Sequence, residues 1–215
     1  MNMVFLGSLL AGLGNTILLS VLTFLTGGAL GLLVALGRIS PSRTIRRLAI
    51  FYVEVLQGIP LLVLLGFAFF GPNVFGFESL SPLGSAVLAF ALYASAYLGE
   101  IWRGCLQAVP KQQWEGAETL GLSRLQRMRT IILPQALRIA IPPTVGFMVQ
   151  IVKNTSVASL VVGFAELSYN AKVINNSTFL PFLYFGLAAL LYFIVCYPLS
   201  VTSRILERRL RVGAR

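Results

Sequence analysis

The chain alternates long apolar runs with short basic connectors. Five stretches, residues 14–37, 48–71, 83–105, 139–164 and 180–203, each predict a membrane-crossing helix, because a hydrocarbon core of about 30 Å takes about 20 mostly apolar residues. No second domain, low-complexity linker or internal repeat interrupts this pattern, so the expectation is one all-α membrane domain over residues 1–215 with five transmembrane helices. The main polar departure is residues 110–138, more than neighbouring helices need as a connection. Its centre, "WEGAETLGLSRLQR", predicts two short helices. The first starts near Pro110 with Trp114, Ala117 and Leu120 near one face and Glu115 and Glu118 beside them. It ends at Gly121, which accepts left-handed dihedrals, and Ser123 with Gln126 forms the reciprocal cap that starts the second. So short an amphipathic helix is marginal in water and needs a surface: its own membrane domain, a partner's groove or lipid.

Charge orients the spans. All of the 17 lysines and arginines except Lys153 and Lys172 fall in three places: the first connector, the stretch from Arg103 to Arg138, or the tail from Arg204 to Arg215. Basic loops stay cytoplasmic, which places the N-terminus outside and the C-terminus in the cytoplasm. The first basic residue is Arg38, so the first run lacks a signal peptide's basic leader and is expected to be a retained span.

Composition then narrows the chemistry. At 57% hydrophobic and 11% charged the chain is far from the soluble norm of about 25% charged. Its net +10 lies between apolar runs, which argues for a membrane and against nucleic acid. There is no histidine and every acidic residue is glutamate, so a Ser-His-Asp triad and a histidine metal site are excluded. Cys105 and Cys196 are read as small packing residues; no catalytic and no metal residue is expected. The three lysines precede Gln112, Asn154 and Val173, so no P-loop Lys-Ser/Thr exists and no cofactor is expected in this chain. Gly27 and Gly31 form a small-xxx-small pair, and Pro60, Pro142, Pro143 and Pro198 are kink candidates within the spans.

Polar groups inside a span are functional suspects by default. Glu100 has Arg103 one turn on and is read as an interfacial ion pair. Glu54 and Gln57, near the end of the second run's first half, suit either polar packing or a pathway wall. Lys153 lies ~21 Å along its run, counted from Ile139. It is either a structural lysine bonded to backbone at a helix break or a charge facing a water-filled path, where a transported carboxylate would meet it. On the second reading Lys153, Asn154, Thr155 and Ser156 line the path with Gln57, and an acidic or neutral polar solute passes, because no aspartate waits in any span for a cationic side chain.

The run from Glu115-Gly116-Ala117 through Gly121 to Ile132-Leu133-Pro134-Gln135-Ala136 resembles the Glu-Ala-Ala loop of ABC importer permeases, with Gly116 where alanine is usual. "YVEVLQGIPLLV" from Tyr52, "AYLGEIWRGCLQAVPKQQWEGA" from Ala96 and "KNTSVASLVVGFAEL" from Lys153 are similar to the polar amino-acid branch, the last most like glutamate/aspartate permeases. The resemblance implies a type I importer domain in a bacterial inner membrane. It implies that Glu115, Gly116, Ala117, Glu118, Leu120, Gly121 and Leu122 contact a cytosolic ATPase dimer that holds ATP and magnesium. A second permease subunit and an extracytoplasmic binding protein are its further implied partners. The rival from another class is an ion-coupled secondary transporter whose polar helices merely lie on lipid.

Overall fold

A computed structural model of the chain describes residues 3–78 and 80–212, with side chains to residue 210. Arg215 of the basic tail and the side chain of Arg211 lie outside the described residues. The regular elements are helices: α1 (Met3–Arg38), α2 (Arg43–Gly58), α3 (Leu61–Val74), α4 (Pro82–Gln107), α5 (Lys111–Thr119), α6 (Arg124–Arg127), α7 (Leu133–Asn154), α8 (Ala158–Val161), α9 (Leu167–Thr178) and α10 (Pro181–Val212). A π-helical turn, Met128–Ile132, joins α6 to α7, and a 3-10 turn, Thr155–Val157, joins α7 to α8. Four stretches are long and apolar enough to cross a membrane: α1, α4, the run Arg124–Val161 and Pro181–Leu210 of α10. α2 and α3 add a fifth only as a pair bent by 99°.

Pro60, one of the kink candidates, divides the expected span over 48–71 into two helices. Pro60 has no N–H to continue the ladder, and its ring drives the preceding residue out of the helical region. Ile59 is accordingly extended, at φ −95° and ψ 126°. The chain restarts at Pro60, whose carbonyl accepts from the N–H groups of Val63 and Leu64. Pro142, Pro143 and Pro198, by contrast, sit inside α7 and α10 without ending them.

α1 and α4 form the closest pair. A Cβ added to Gly27 would stand 2.7 Å from Ala94 Cβ and 3.1 Å from the Ala91 carbonyl oxygen, so the glycine lets the two backbones approach. Around this seam Leu19, Leu56, Leu65, Phe90 and Ala158 bring α1, α2, α3, α4 and α8 into one buried cluster. At the arginine-rich end Glu100 receives Arg103, as its spacing predicts, from Nε at 2.7 Å, and also Arg38 of α1 from Nε at 3.1 Å. The carboxylate therefore pins α1 to α4, a role its local spacing does not reveal.

Two boundaries also differ from expectation. α1 begins at Met3 and not near residue 14, and the connector over 166–179 contains α9. The two departures share one cause. Polar groups of early α1 find partners at the start of α9: Asn15 Nδ2 donates to the Ala165 carbonyl at 2.8 Å, the Leu167 N–H donates to Thr16 Oγ1 at 3.2 Å, and Ser8 Oγ donates to Asn170 Oδ1 at 3.3 Å. A Cβ at Gly12 would lie 2.5 Å from Asn170 Nδ2, so only glycine admits this approach. The apolar count cannot see such pairing.

Candidate functional site

The polar segment folds as its local chemistry dictates. Gly121 adopts φ +69°, the Leu122 N–H reaches the Ala117 carbonyl at 3.3 Å and the Gly121 N–H reaches that of Glu118 at 2.9 Å, a Schellman ending for α5. Ser123 and Gln126 close the reciprocal cap, with the Ser123 N–H donating to Gln126 Oε1 at 3.0 Å. Trp114 then packs with Val109, Met128, Ile131, Ile132 and Ala136, which seats α5 on the π turn and the root of α7. Gln135 Nε2 donates to Gln113 Oε1 at 3.2 Å across the same contact, and Arg127 pairs with Glu118 at 3.2 Å. That pair, exposed on its glutamate side, contributes about 0–1 kcal/mol; the tryptophan contact is the firmer anchor.

One expectation about this helix is corrected. Leu120 does not share the buried face with Trp114 and Ala117: it follows the last helical residue and is 75% exposed, whereas Ala117 is 2% exposed. Glu115, Gly116, Glu118, Leu120 and Gly121 face outward, and Leu122 is half-buried. The surface open to a partner is thus an acidic patch with one apolar side chain projecting from it.

Lys153 and Asn154 end α7, Thr155 and Ser156 begin the 3-10 turn that follows, and the four point to different sides of this helical run. Lys153 and Ser156 line a cavity of about 560 Å³ between the end of α7 and α10, together with Ser168, Tyr192, Cys196 and Ser200. Thr155 is buried, its Oγ1 donating to the Val152 carbonyl at 2.8 Å. Asn154 instead accepts from Gln150 Nε2 at 3.0 Å, on the side of Tyr93. Gln57 is exposed on α2, and among the described residues it shares no hydrogen bond with this segment. The preceding residue, Val152, packs in an apolar cleft with Ser20, Val21 and Phe24, so Lys153 stands level with the middle of α1. The ion pairs among the described residues involve Glu100 or Glu118; none involves Lys153.

Residues that sequence reasoning passed over complete the wall of this cavity. Glu166 is fully buried and accepts from the N–H groups of Ser168 at 2.9 Å and Tyr169 at 2.8 Å, capping α9, and from the Tyr192 hydroxyl at 2.6 Å. An acid one position before Leu-Ser-Tyr is a readable helix-start signal. Tyr192, one aromatic in the run "LYFIVCY", carries none.

The profile of the "Binding-protein-dependent transport system inner membrane component" family matches residues 27–212. The chain is 38% identical over 200 residues to the L-cystine transport system permease protein TcyB of Bacillus subtilis (strain 168), covering 93% of this chain and 85% of that one. It is 36% identical over 200 residues to that organism's probable glutamine ABC transporter permease protein GlnM, covering 93% and 91%. A chain in the crystal structure of an amino acid ABC transporter with histidines superposes with a TM-score of 0.89 at 32% identity, covering 97% of this chain and 100% of that one. Matches of this extent set aside the ion-coupled alternative. A membrane-helical chain with a docked polar hairpin, matched by this family over most of its length, belongs to the binding-protein-dependent transport system inner membrane components, as a permease of the amino-acid ABC importer kind.

Proposed function

We propose that this permease moves a polar amino acid inward and that α5 is the element through which a separate cytosolic ATPase dimer drives it. The observation that carries the reading is mechanical continuity. α5 is seated through Trp114 on the π turn and the root of α7, and the same helical run, Arg124–Val161, carries Lys153 and Ser156 at its far end. A push on the outward Glu115, Gly116, Glu118, Leu120 and Gly121 surface is delivered to a rigid rod that reaches the cavity. In this reading the arginine-rich connectors face the cytoplasm and the N-terminus lies outside. ATP and magnesium belong to the ATPase, a second permease subunit completes the pore, and an extracytoplasmic binding protein delivers the solute.

The solute we favour is glutamate or aspartate. Lys153 offers a cation with no carboxylate paired to it among the described residues, and a solute carboxylate supplies the missing charge. Glutamine is the second reading, favoured by the glutamine permease among the relatives and by the neutral Gln150–Asn154 pair.

Two experiments test this. Glu115→Lys is expected to abolish co-purification with the ATPase and ATP-driven uptake while membrane insertion stays normal; undiminished association and uptake refute the coupling role. Uptake by the reconstituted importer under competition from unlabelled amino acids tests the solute, and preferential arginine or lysine import refutes the acidic reading.

A further inference from the structure

Glu166 is a carboxylate with no solvent exposure and no cationic partner among the described residues. Leaving such a group in a membrane domain is costly unless hydrogen bonds satisfy it. Three do, and their directions carry information. Both Glu166 oxygens accept backbone N–H groups, and the Tyr192 hydroxyl, 2.6 Å from Oε2, donates the third bond and so commits its proton to Glu166. Ser168 Oγ lies 3.1 Å from the same phenol oxygen. With the phenol proton already spent, Ser168 must donate. The Tyr192 oxygen, which accepts from Ser168, keeps its second lone pair as an acceptor on the wall of the cavity that also holds Lys153.

We infer that Glu166 is a positioning residue: it fixes the Tyr192 proton away from the cavity, so that Tyr192 presents an acceptor for a solute ammonium group while Lys153 receives the carboxylate. The inference rests on the reading of the α7–α10 cavity as part of the solute path. It goes beyond that reading by assigning recognition of the α-amino group to a pair of residues from α10 and the α9 cap. A cation and an acceptor lining one cavity of about 560 Å³ match the two charges of an amino-acid headgroup, whichever side chain follows. The rest of the wall does not compete for the ammonium as a charge, since it is made of Ser156, Ser168, Ser200, Cys196, Tyr197 and the apolar Ala189 and Phe193. Glu166 keeps its own place through the Ser168 and Tyr169 N–H groups, independently of any solute.

The test uses the purified permease with its ATPase in lipid nanodiscs, without binding protein, and measures the affinity for L-glutamate and for glutarate, which lacks the amino group. Tyr192→Phe removes only the hydroxyl. Glu166→Gln keeps the shape and replaces one of two acceptor oxygens by a donor, so that the α9 cap and the phenol compete for the oxygen that remains. Each is expected to weaken L-glutamate about tenfold, the scale of one charge-assisted hydrogen bond, and to leave glutarate unchanged. The double variant is expected to be no worse than either single one, because both act through one oxygen. Equal weakening of both ligands, or no weakening of either by Tyr192→Phe, overturns the assignment while leaving the cavity reading intact if Lys153→Met still abolishes binding of both. Binding of both that persists in Lys153→Met, or its absence from the unmodified complex, overturns the cavity reading and the inference with it. Thermal unfolding of each variant separates these outcomes from loss of the fold.

Discussion

Lys153 and Asn154 are adjacent in the chain but face different helices: Lys153 lines the cavity against α10 with Tyr192 and Cys196, while Asn154 accepts from Gln150 at 3.0 Å beside Tyr93 of α4. Their substitutions should therefore separate. Lys153→Met is expected to lower amino-acid uptake at least about tenfold, the worth of one charge-assisted contact. Asn154→Asp should keep uptake and shift competition toward cationic amino acids, because it adds an anion on the α4 side. Equal losses from both changes in the same uptake assay would count against two distinct faces.

Gly27→Ala puts a methyl group 2.7 Å from Ala94 Cβ and 3.1 Å from the Ala91 carbonyl oxygen, neither of which is a flexible side-chain tip. α1 must move away from α4. The expected loss is about 1–3 kcal/mol, as for other overpacked contacts, read as a lower unfolding temperature in detergent. Gly7→Ala is the control: nothing lies within 4 Å of its added Cβ, so the change should be neutral or stabilising.

Gly116→Ala tests the coupling role proposed for α5 from the opposite direction. An added Cβ there meets nothing within 4 Å, and alanine favours a helix interior by about 1 kcal/mol over glycine. α5 is expected to resist proteolysis better while ATPase association stays within about twofold of the parent. A large loss of association would place Gly116 itself in close backbone contact with the partner.

Ser123→Ala removes the side-chain acceptor for the Gln126 N–H and should cost the α6 start about 1 kcal/mol. The measurement is hydrogen exchange at Gln126 and Arg127, expected to quicken while α4 is unaffected.

The turn that Ser123 opens shows which parts of the molecule the sequence makes legible. Gly121, Ser123 and Gln126 satisfy backbone groups within three or four residues of themselves, so their spacing alone specifies the ending of α5 and the start of α6. Apolar run length likewise locates α4 and most of α10, whose limits differ from expectation mainly where polar residues extend the helix. Pro60 was legible as a kink candidate but not as the one that ends its helix, because Pro142, Pro143 and Pro198 sit inside apolar runs too and do not end theirs. Glu166, Tyr192 and the early polar face of α1 were not legible in function, since each is satisfied by a group far away in the chain: Thr16 with Leu167, Asn15 with Ala165, Tyr192 with Glu166. Lys153 was legible as an anomaly of charge, but the face it occupies depends on the phase of the whole helix.

That phase is set at Met128–Ile132. There the Leu133 N–H reaches back five residues to the Met128 carbonyl, and Pro134 follows with no N–H of its own. The widened turn acts as a clock setting between two surfaces, since it fixes the azimuth of Lys153 relative to the seat of Trp114. Winding these same five residues as ordinary α-helix would rotate everything beyond by roughly a quarter turn. The cavity and the seat would each survive intact, but out of register, so that α7 would turn a different face toward α10 for the same placement of Trp114.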